Sequence, residues 1–395
     1  MEDILLIGID GGATKVSGWE IIYNKEAETF AMGQLSSSKS YSEIPGFLPD
    51  FSPVPVQDQF AQRDDSNIQP TDDELQQEAV YVEACAQVIE ELCKNNPGRK
   101  ILAGIGMPGL KTEDRRGIAI VANGPRMINY SDLLEKRLAL KNIEFAAPVH
   151  HLGSDADYCG IGENYSADGA FRTVQNAYYL GGGTGVADAL KLNGELVPFD
   201  LTKDWLAKTW EMKSADGRSL ERFTSVGGMQ AVYAEISGRK VSELNEENIY
   251  PLQISEMAVK GDEAAKKMTD LAAENLSLLL YERISTLYSG SQSVLEFVNP
   301  SRPQLNNNHP YLKNLFDCII IGQRLGDLFE EESGKQVIQQ PLMKQLSKMI
   351  SDSDVLDAAA KEHYSNLDKI IITSSLREAP ALGAGVDAFL TYKGF

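Results

Sequence analysis

Three stretches of the chain carry residues that could bind phosphate or handle a proton. Near the N-terminus, "ILLIGIDGGATKVSGWEI" runs apolar, stops at Asp10, Gly11 and Gly12, and resumes after Thr14 and Lys15. A surface hairpin closed by a D-G-G turn explains this pattern, since glycine takes backbone angles closed to other residues. A phosphate-binding hairpin explains it too. Exposed N–H groups would meet the anion, and the Asp10 carboxylate would hold Mg²⁺ through water. The second stretch, "NAYYLGGGTGVADALKLNGEL", repeats the plan with Gly183, Thr184 and Gly185 at its turn. There φ freedom combines with a hydroxyl donor. The third, "APVHHLGSDADYCGIGE", reads as a strand passing into a helix with Asp155 at the junction. A carboxylate there is either an N-cap or a general base. Asp157 ranks below it, because its side chain would point elsewhere.

The elements that must position these residues are legible as runs and periods. "ILLIGI", "KILAGIG" and "DCIII" are short apolar runs, typical of strands covered on both faces. Between the first two lies a long helix, with Thr71 as N-cap, acidic residues 72–74 in its first turn, and Val80, Ala84, Val88 and Leu92 on one face. "SDLLEKRLAL" and most of 252–288 read as helical. "LFDCIIIGQRLGDLFEE" is a buried strand, a turn at Gly322 and a helix; "LDKIIITSSLREAPALGAGVDAFL" repeats the strand and ends in a final helix. Residues 34–75 are rich in Ser, Pro, Asp and Gln, lack periodicity, and read as a surface insertion. Two similar halves, each opening on a glycine-rich hairpin, predict a duplicated α/β fold with a nucleotide cleft between the halves. His150 and His151 are adjacent, and neighbours on a strand face opposite ways, so they are not expected to share a metal.

Composition narrows the function. The 395 residues are 43% apolar and 24% charged, which fits a soluble globular chain of two or three domains. A net charge of −20 argues against nucleic acid and anionic membranes as partners. No apolar run is long enough for a membrane span, and no secretory signal is visible. Cys85, Cys93, Cys159 and Cys318 lack metal-ligand spacing, and buried thiols of a cytoplasmic protein are expected.

Taken together, the motifs resemble those of the ROK (repressor, open reading frame, kinase) family, within the acetate and sugar kinase/heat-shock 70/actin superfamily. The resemblance covers nearly the whole chain apart from 34–75. "GIDGGATK" resembles the first phosphate motif, "GIGMPG" the connecting strand, "GGGTGVADALKLNGEL" the second phosphate motif, "DCIIIGQRLG" the adenosine motif and "ALGAG" the C-terminal helix. "GSDADYCGIGE" looks like the element that bears the catalytic aspartate, which falls on Asp155. The resemblance implies a duplicated ribonuclease H-like (actin-like ATPase) fold. Its domains would be 1–146, with the 34–75 insertion and the helix 379–395 packing back on it, and 147–378. It implies ATP and Mg²⁺ as cofactors, and Asp10, Gly11, Gly12, Thr14, Lys15, Gly183, Thr184, Gly185 and Gly322 as the nucleotide site. A small-molecule acceptor, a sugar, would meet Asn123, Ser154, Glu163 and Glu211, and homodimers are frequent among such proteins.

The departures from the family lie on the acceptor side. Family members usually hold zinc with one His and three Cys in a C-x-C-G-x-x-G-C pattern. The matching "KTWEMKSADGRSLERF" has neither residue, and Ser219 stands where the family has Cys, so no structural zinc is expected. Ser154 replaces an Asn that usually touches sugar hydroxyls. The expected activity is ATP-dependent phosphorylation of a sugar or sugar-derivative hydroxyl, with Asp155 as base. The alternative is a non-catalytic nucleotide-binding descendant with an altered acceptor site. A DNA-binding regulator is disfavoured by the charge and by a first strand that starts at Ile4.

Overall fold

The computed structural model describes residues 3–94 and 96–394. The chain forms two compact units, one comprising residues up to Gly169 and from Glu378 on, the other Ala170–Arg377. The strands of the first unit's main sheet are β1 (Ile4–Gly11), β2 (Lys15–Asn24), β3 (Thr29–Ser40), β4 (Lys100–Gly106) and β5 (Leu152–Gly153). They lie in the order β3-β2-β1-β4-β5, with β1, β2 and β3 antiparallel and β4 and β5 parallel to β1. In the second unit the strands are β6 (Ala177–Gly182), β7 (Val186–Leu192), β8 (Glu195–Leu196), β9 (Cys318–Gly322) and β10 (Ile371–Thr373). Their order, β8-β7-β6-β9-β10, and their directions repeat those of the first sheet. This is the duplicated α/β fold expected from the two hairpins, with the ribonuclease H-like topology that the family resemblance implies.

Eight helices matter below: α1 (Val56–Asp64), α2 (Asp72–Cys93), α3 (Tyr130–Ala139), α4 (Asp155–Tyr165), α5 (Val226–Ser237), α6 (Glu263–Ser289), α7 (Gln323–Glu330) and α8 (Ala379–Lys393). The apolar run of β1 is central because α2 covers one side of its sheet and α8 the other. Helix α2 starts in a capping box in which Thr71 and Glu74 satisfy each other's backbone N–H groups. Helix α8 lies so close to the sheet that a Cβ on Gly8 would stand 1.9 Å from the Ala381 carbonyl oxygen, and one on Gly104 1.8 Å from that of Ala384. The small residues of "ALGAG" permit that approach, and α4 packs on the same helix.

Two expectations about organisation are revised. The boundary falls at Gly169, not at 146, because Leu152 and Gly153 pair with Ile105 and Gly106 and so keep β5 and the following α4 with the first sheet. Residues 34–75, expected as a surface insertion, are partly built into the first unit. They begin inside β3, bury Tyr41 and Ile44, and form α1. Buried Gln59 accepts from the Val121 N–H at 2.8 Å and donates to the Val121 carbonyl at 3.0 Å. Arg126, fully buried, grips both Glu74 oxygens at 2.7 Å and also donates to Gln62 and to the Gln69 carbonyl.

The strand expected before Asp155 is only two residues long. His150 and His151 precede it in irregular backbone, so strand alternation does not apply. Their Nδ1 atoms lie 3.0 Å apart, and His151 Nε2 sits 2.8 Å from the Asp387 carboxylate. Among the described residues, no helix is long and apolar enough to cross a membrane.

Candidate active site

Register places the acidic residues of the first unit. Asp10 pairs with Gly106 across β1 and β4, and Gly106 pairs with Gly153 across β4 and β5. Three parallel strands therefore end side by side, with Asp10 on the first and Ser154 and Asp155 following the third. Two strand spacings, about 10 Å, separate the backbones of the outer two. Asp155 is the first residue of α4, so it is not the cap. Ser154 holds that position at φ −79°, ψ 132°, and its hydroxyl makes no capping bond.

Electrostatics tie these groups together. The Asp10 carboxyl is pushed up to about 7, first by burial and then by the negative charges of Asp155 and Glu378, against the pull of Lys15. A buried carboxyl raised by neighbouring carboxylates at strand ends is a candidate functional site on physical grounds. Glu378, half-buried at the start of α8, was not among the residues singled out in the sequence. No local pattern marks it, because its partners lie at the other end of the chain.

The first hairpin turns without left-handed backbone, since neither Gly11 nor Gly12 has positive φ. Gly11 is required by contact instead: a Cβ there would stand 2.9 Å from the Met107 side chain. The Gly12 N–H donates to the Lys15 carbonyl at 3.0 Å. The next carbonyls are held from the protein side. Tyr41 Oη donates to Gly12 and Tyr81 Oη to Ala13, both at 3.1 Å, and the Tyr41 N–H donates to Thr14 at 3.1 Å. Thr14 and Lys15 remain exposed.

The second hairpin is also free of positive φ at Gly183 and Gly185. The Gly183 N–H donates to the Gly185 carbonyl at 2.9 Å, and the Gly227 N–H, at the start of α5, donates to the Gly183 carbonyl at 3.0 Å. Glu221 accepts from the Val186 N–H at 3.0 Å, and Arg324 Nη2 donates to Thr184 Oγ1 at 2.9 Å. A Cβ on Gly183 would meet the Gln323 amide oxygen at 2.8 Å, and one on Gly185 would meet Glu221 at 2.4 Å. Gly322, the expected adenosine platform, closes β9. Its Cβ would stand 2.2 Å from the hydroxyl of buried Tyr179, so the missing side chain makes room for that ring. Below the hairpin, β6 and β7 are fixed by a buried network. Asp188 accepts from Tyr178 Oη at 2.5 Å, the Thr209 N–H at 2.9 Å and Thr209 Oγ1 at 2.6 Å, and fully buried Arg283 lies 3.3 Å away.

The candidate acceptor residues lie on separate elements, Asn123, Ser154 and Glu163 in the first unit and Glu211 in the second. Asn123 is exposed in a bend after Val121. Glu163 is fully buried, eight residues after Asp155 and so about 12 Å further along the helix axis. Glu211 belongs to the second unit, where Arg302 donates to its two oxygens at 2.9 and 3.4 Å and the Lys208 N–H donates at 2.8 Å. The segment without Cys and His is thus anchored by Thr209 on Asp188 and Glu211 on Arg302. Among the described residues, no three His, Cys, Asp or Glu side chains form a group that could hold a metal.

No protein-family model matches this chain, and no curated protein does. Solved structures do. A ROK family glucokinase from Streptomyces griseus, in complex with glucose and AMPPNP, superposes with a TM-score of 0.58 at 14% identity over 98% of this chain and 99% of that one. The fold is that of the ROK sugar kinases. An inorganic polyphosphate/ATP-glucomannokinase from Arthrobacter sp. strain KM gives 0.52 at 16% identity over 98% and 99% of the two chains. A ROK hexokinase from Thermus thermophilus gives 0.51 at 15% identity over 99% of each.

Proposed function

We propose that the protein is a ROK family kinase that transfers a phosphoryl group from ATP to a hydroxyl of a sugar or sugar derivative, with Asp155 as general base. The observation that carries this reading is the joint placement of Asp10 and Asp155 at the ends of two parallel strands that flank β4, in a sheet whose glycine hairpin recurs in the second unit. Phosphoryl transfer depends on positioning and charge stabilisation more than on covalent chemistry. The Asp155 carboxylate, at the partly exposed start of a helix, accepts the proton of the acceptor hydroxyl as the new P–O bond forms. Each hairpin offers backbone N–H groups and a hydroxyl suited to phosphate oxygens, Thr14 beside Lys15 in the first unit and Thr184 in the second.

A divalent cation fits the donor set. The Asp10 carboxyl is raised first by burial and then by the charges of Asp155 and Glu378, and a cation would offset those charges. Mg²⁺ commonly takes one or two carboxylates and fills its remaining positions with water and phosphate oxygens. Asp10 would hold it, and when bound it would offset charge on the transferring group. The test is ATP consumption with Mg²⁺ across hexoses, amino sugars and polyols, for the parent and for Asp155→Asn. Turnover with one acceptor class, lost in the variant, supports the reading.

Buried Glu163 and the Glu211–Arg302 pair favour a second reading, a nucleotide-binding protein without transfer activity. Nucleotide binding with no turnover on any acceptor would select it.

A further inference from the structure

Arg324 stands out among the cations of this acidic chain. It is exposed on the first turn of α7, directly after the end of β9, and among the described residues its one polar contact is Thr184 Oγ1 in the second hairpin. No carboxylate of the described residues pairs with it. Asp327, one turn further along α7, is engaged by Arg377 at 3.1 Å. Glu330 accepts from Thr373 at 2.8 Å, and Glu221 is held on the Val186 N–H. Gln323, which sets the direction of Arg324, sits at φ 57°, a left-handed conformation rare for a residue with a side chain. Its amide lies against Gly183. Strained backbone of this kind persists where the surroundings hold it, often at binding sites.

We propose that Arg324 is the phosphate-binding cation of the second hairpin, recognising the phosphoanhydride chain of the donor. Thr184 seats the guanidinium over the Gly183–Gly185 turn. Its remaining donors are free to make charge-assisted, two-pronged bonds to phosphate oxygens. The same chemistry would serve a nucleoside polyphosphate or an inorganic polyphosphate. The inference rests on the phosphoryl-donor reading above, and it assigns a residue that the glycine motif alone does not.

The experiment is calorimetric titration of the full chain, with Mg²⁺, by ADP, by tripolyphosphate and by adenosine, for the parent, Arg324→Ala and Arg324→Lys. Loss of a charged hydrogen-bond donor should weaken ADP by about 10- to 100-fold in Arg324→Ala. Arg324→Lys should recover part of the loss, and adenosine should bind all three proteins alike. Tripolyphosphate binding to the parent, weakened likewise, makes the chain itself the ligand; binding of ADP alone makes the source a nucleotide. Both outcomes support the assignment. Arg324→Ala that binds ADP as tightly as the parent overturns it and leaves the kinase reading intact. A parent that binds neither ADP nor tripolyphosphate overturns the donor reading and this assignment with it. Because Arg324 is exposed, an unchanged melting temperature in Arg324→Ala excludes misfolding as the cause of any loss.

Discussion

The rings of Tyr41 and Tyr81 stack with centroids 3.6 Å apart and planes 16° from parallel, and their hydroxyls donate to the consecutive carbonyls of Gly12 and Ala13. One ring follows β3 and the other belongs to α2, so two elements converge on one side of the first hairpin. Burial pushes the Tyr81 hydroxyl up to about 12 and that of Tyr41 well above its ordinary value, so both stay protonated donors at working pH. Tyr81→Phe should cost about 1 kcal/mol of stability. It should also raise the nucleotide KM several-fold with kcat largely unchanged, and speed amide exchange at residues 12–15. Faster exchange without a KM change would reduce the clamp to a structural role.

This clamp shows where the sequence stops being informative. The strand-hairpin-strand units around Gly11 and Gly183 are legible because both faces of their strands are buried and the runs are apolar. The Ser-rich end of β3 is an edge strand with exposed positions, so no period marks it. Tyr41, Gln59 and Arg126 gain meaning only from partners tens of residues away. Glu378 and Arg324 were missed for the same reason. The glycines were found through turn chemistry, yet Gly11, Gly183 and Gly185 are explained by close neighbours rather than by φ.

Arg126→Met should destabilise the protein by about 3–5 kcal/mol, since it leaves buried Glu74 uncompensated. It should also loosen α1, because Gln62 and Gln69 lose the same anchor. Limited proteolysis should then cut within 50–70 before the rest of the chain. An unchanged cleavage pattern would show that Gln59 alone secures the segment.

Asp10 should make stability fall as pH rises. Between its ordinary value of 3.8 and about 7, the folded chain keeps a proton on Asp10 that the unfolded chain has released. Stability from this group is present below that window and lost across it. Asp10→Asn should therefore gain on the parent between pH 4.5 and pH 8, by roughly 1–3 kcal/mol in denaturant unfolding. The same variant should lose Mg²⁺-dependent nucleotide binding. An equal difference in stability at both pH values would contradict the raised Asp10.

The carboxylates that hold Asp10 up can be separated by what else each one does. Asp155 is the larger charge on Asp10 and Glu378 the smaller, so removing either should lower the Asp10 titration, Asp155→Asn by more. Competition between protons and Mg²⁺ at Asp10 should set the acid limb of Mg-nucleotide binding, and that limb should move to lower pH in both variants. The two should part on turnover. Loss of a general base typically costs about 10²–10⁴ in rate, so Asp155→Asn should keep nucleotide affinity at neutral pH while kcat collapses. Glu378→Gln leaves the base in place and should retain most of kcat. Carbon-13 titration of the Asp10 carboxyl, read beside kcat for each variant, measures both effects. An Asp10 titration that stays in place in Asp155→Asn would break the coupling between these strand ends, and parent-level turnover in that variant would remove Asp155 from the mechanism.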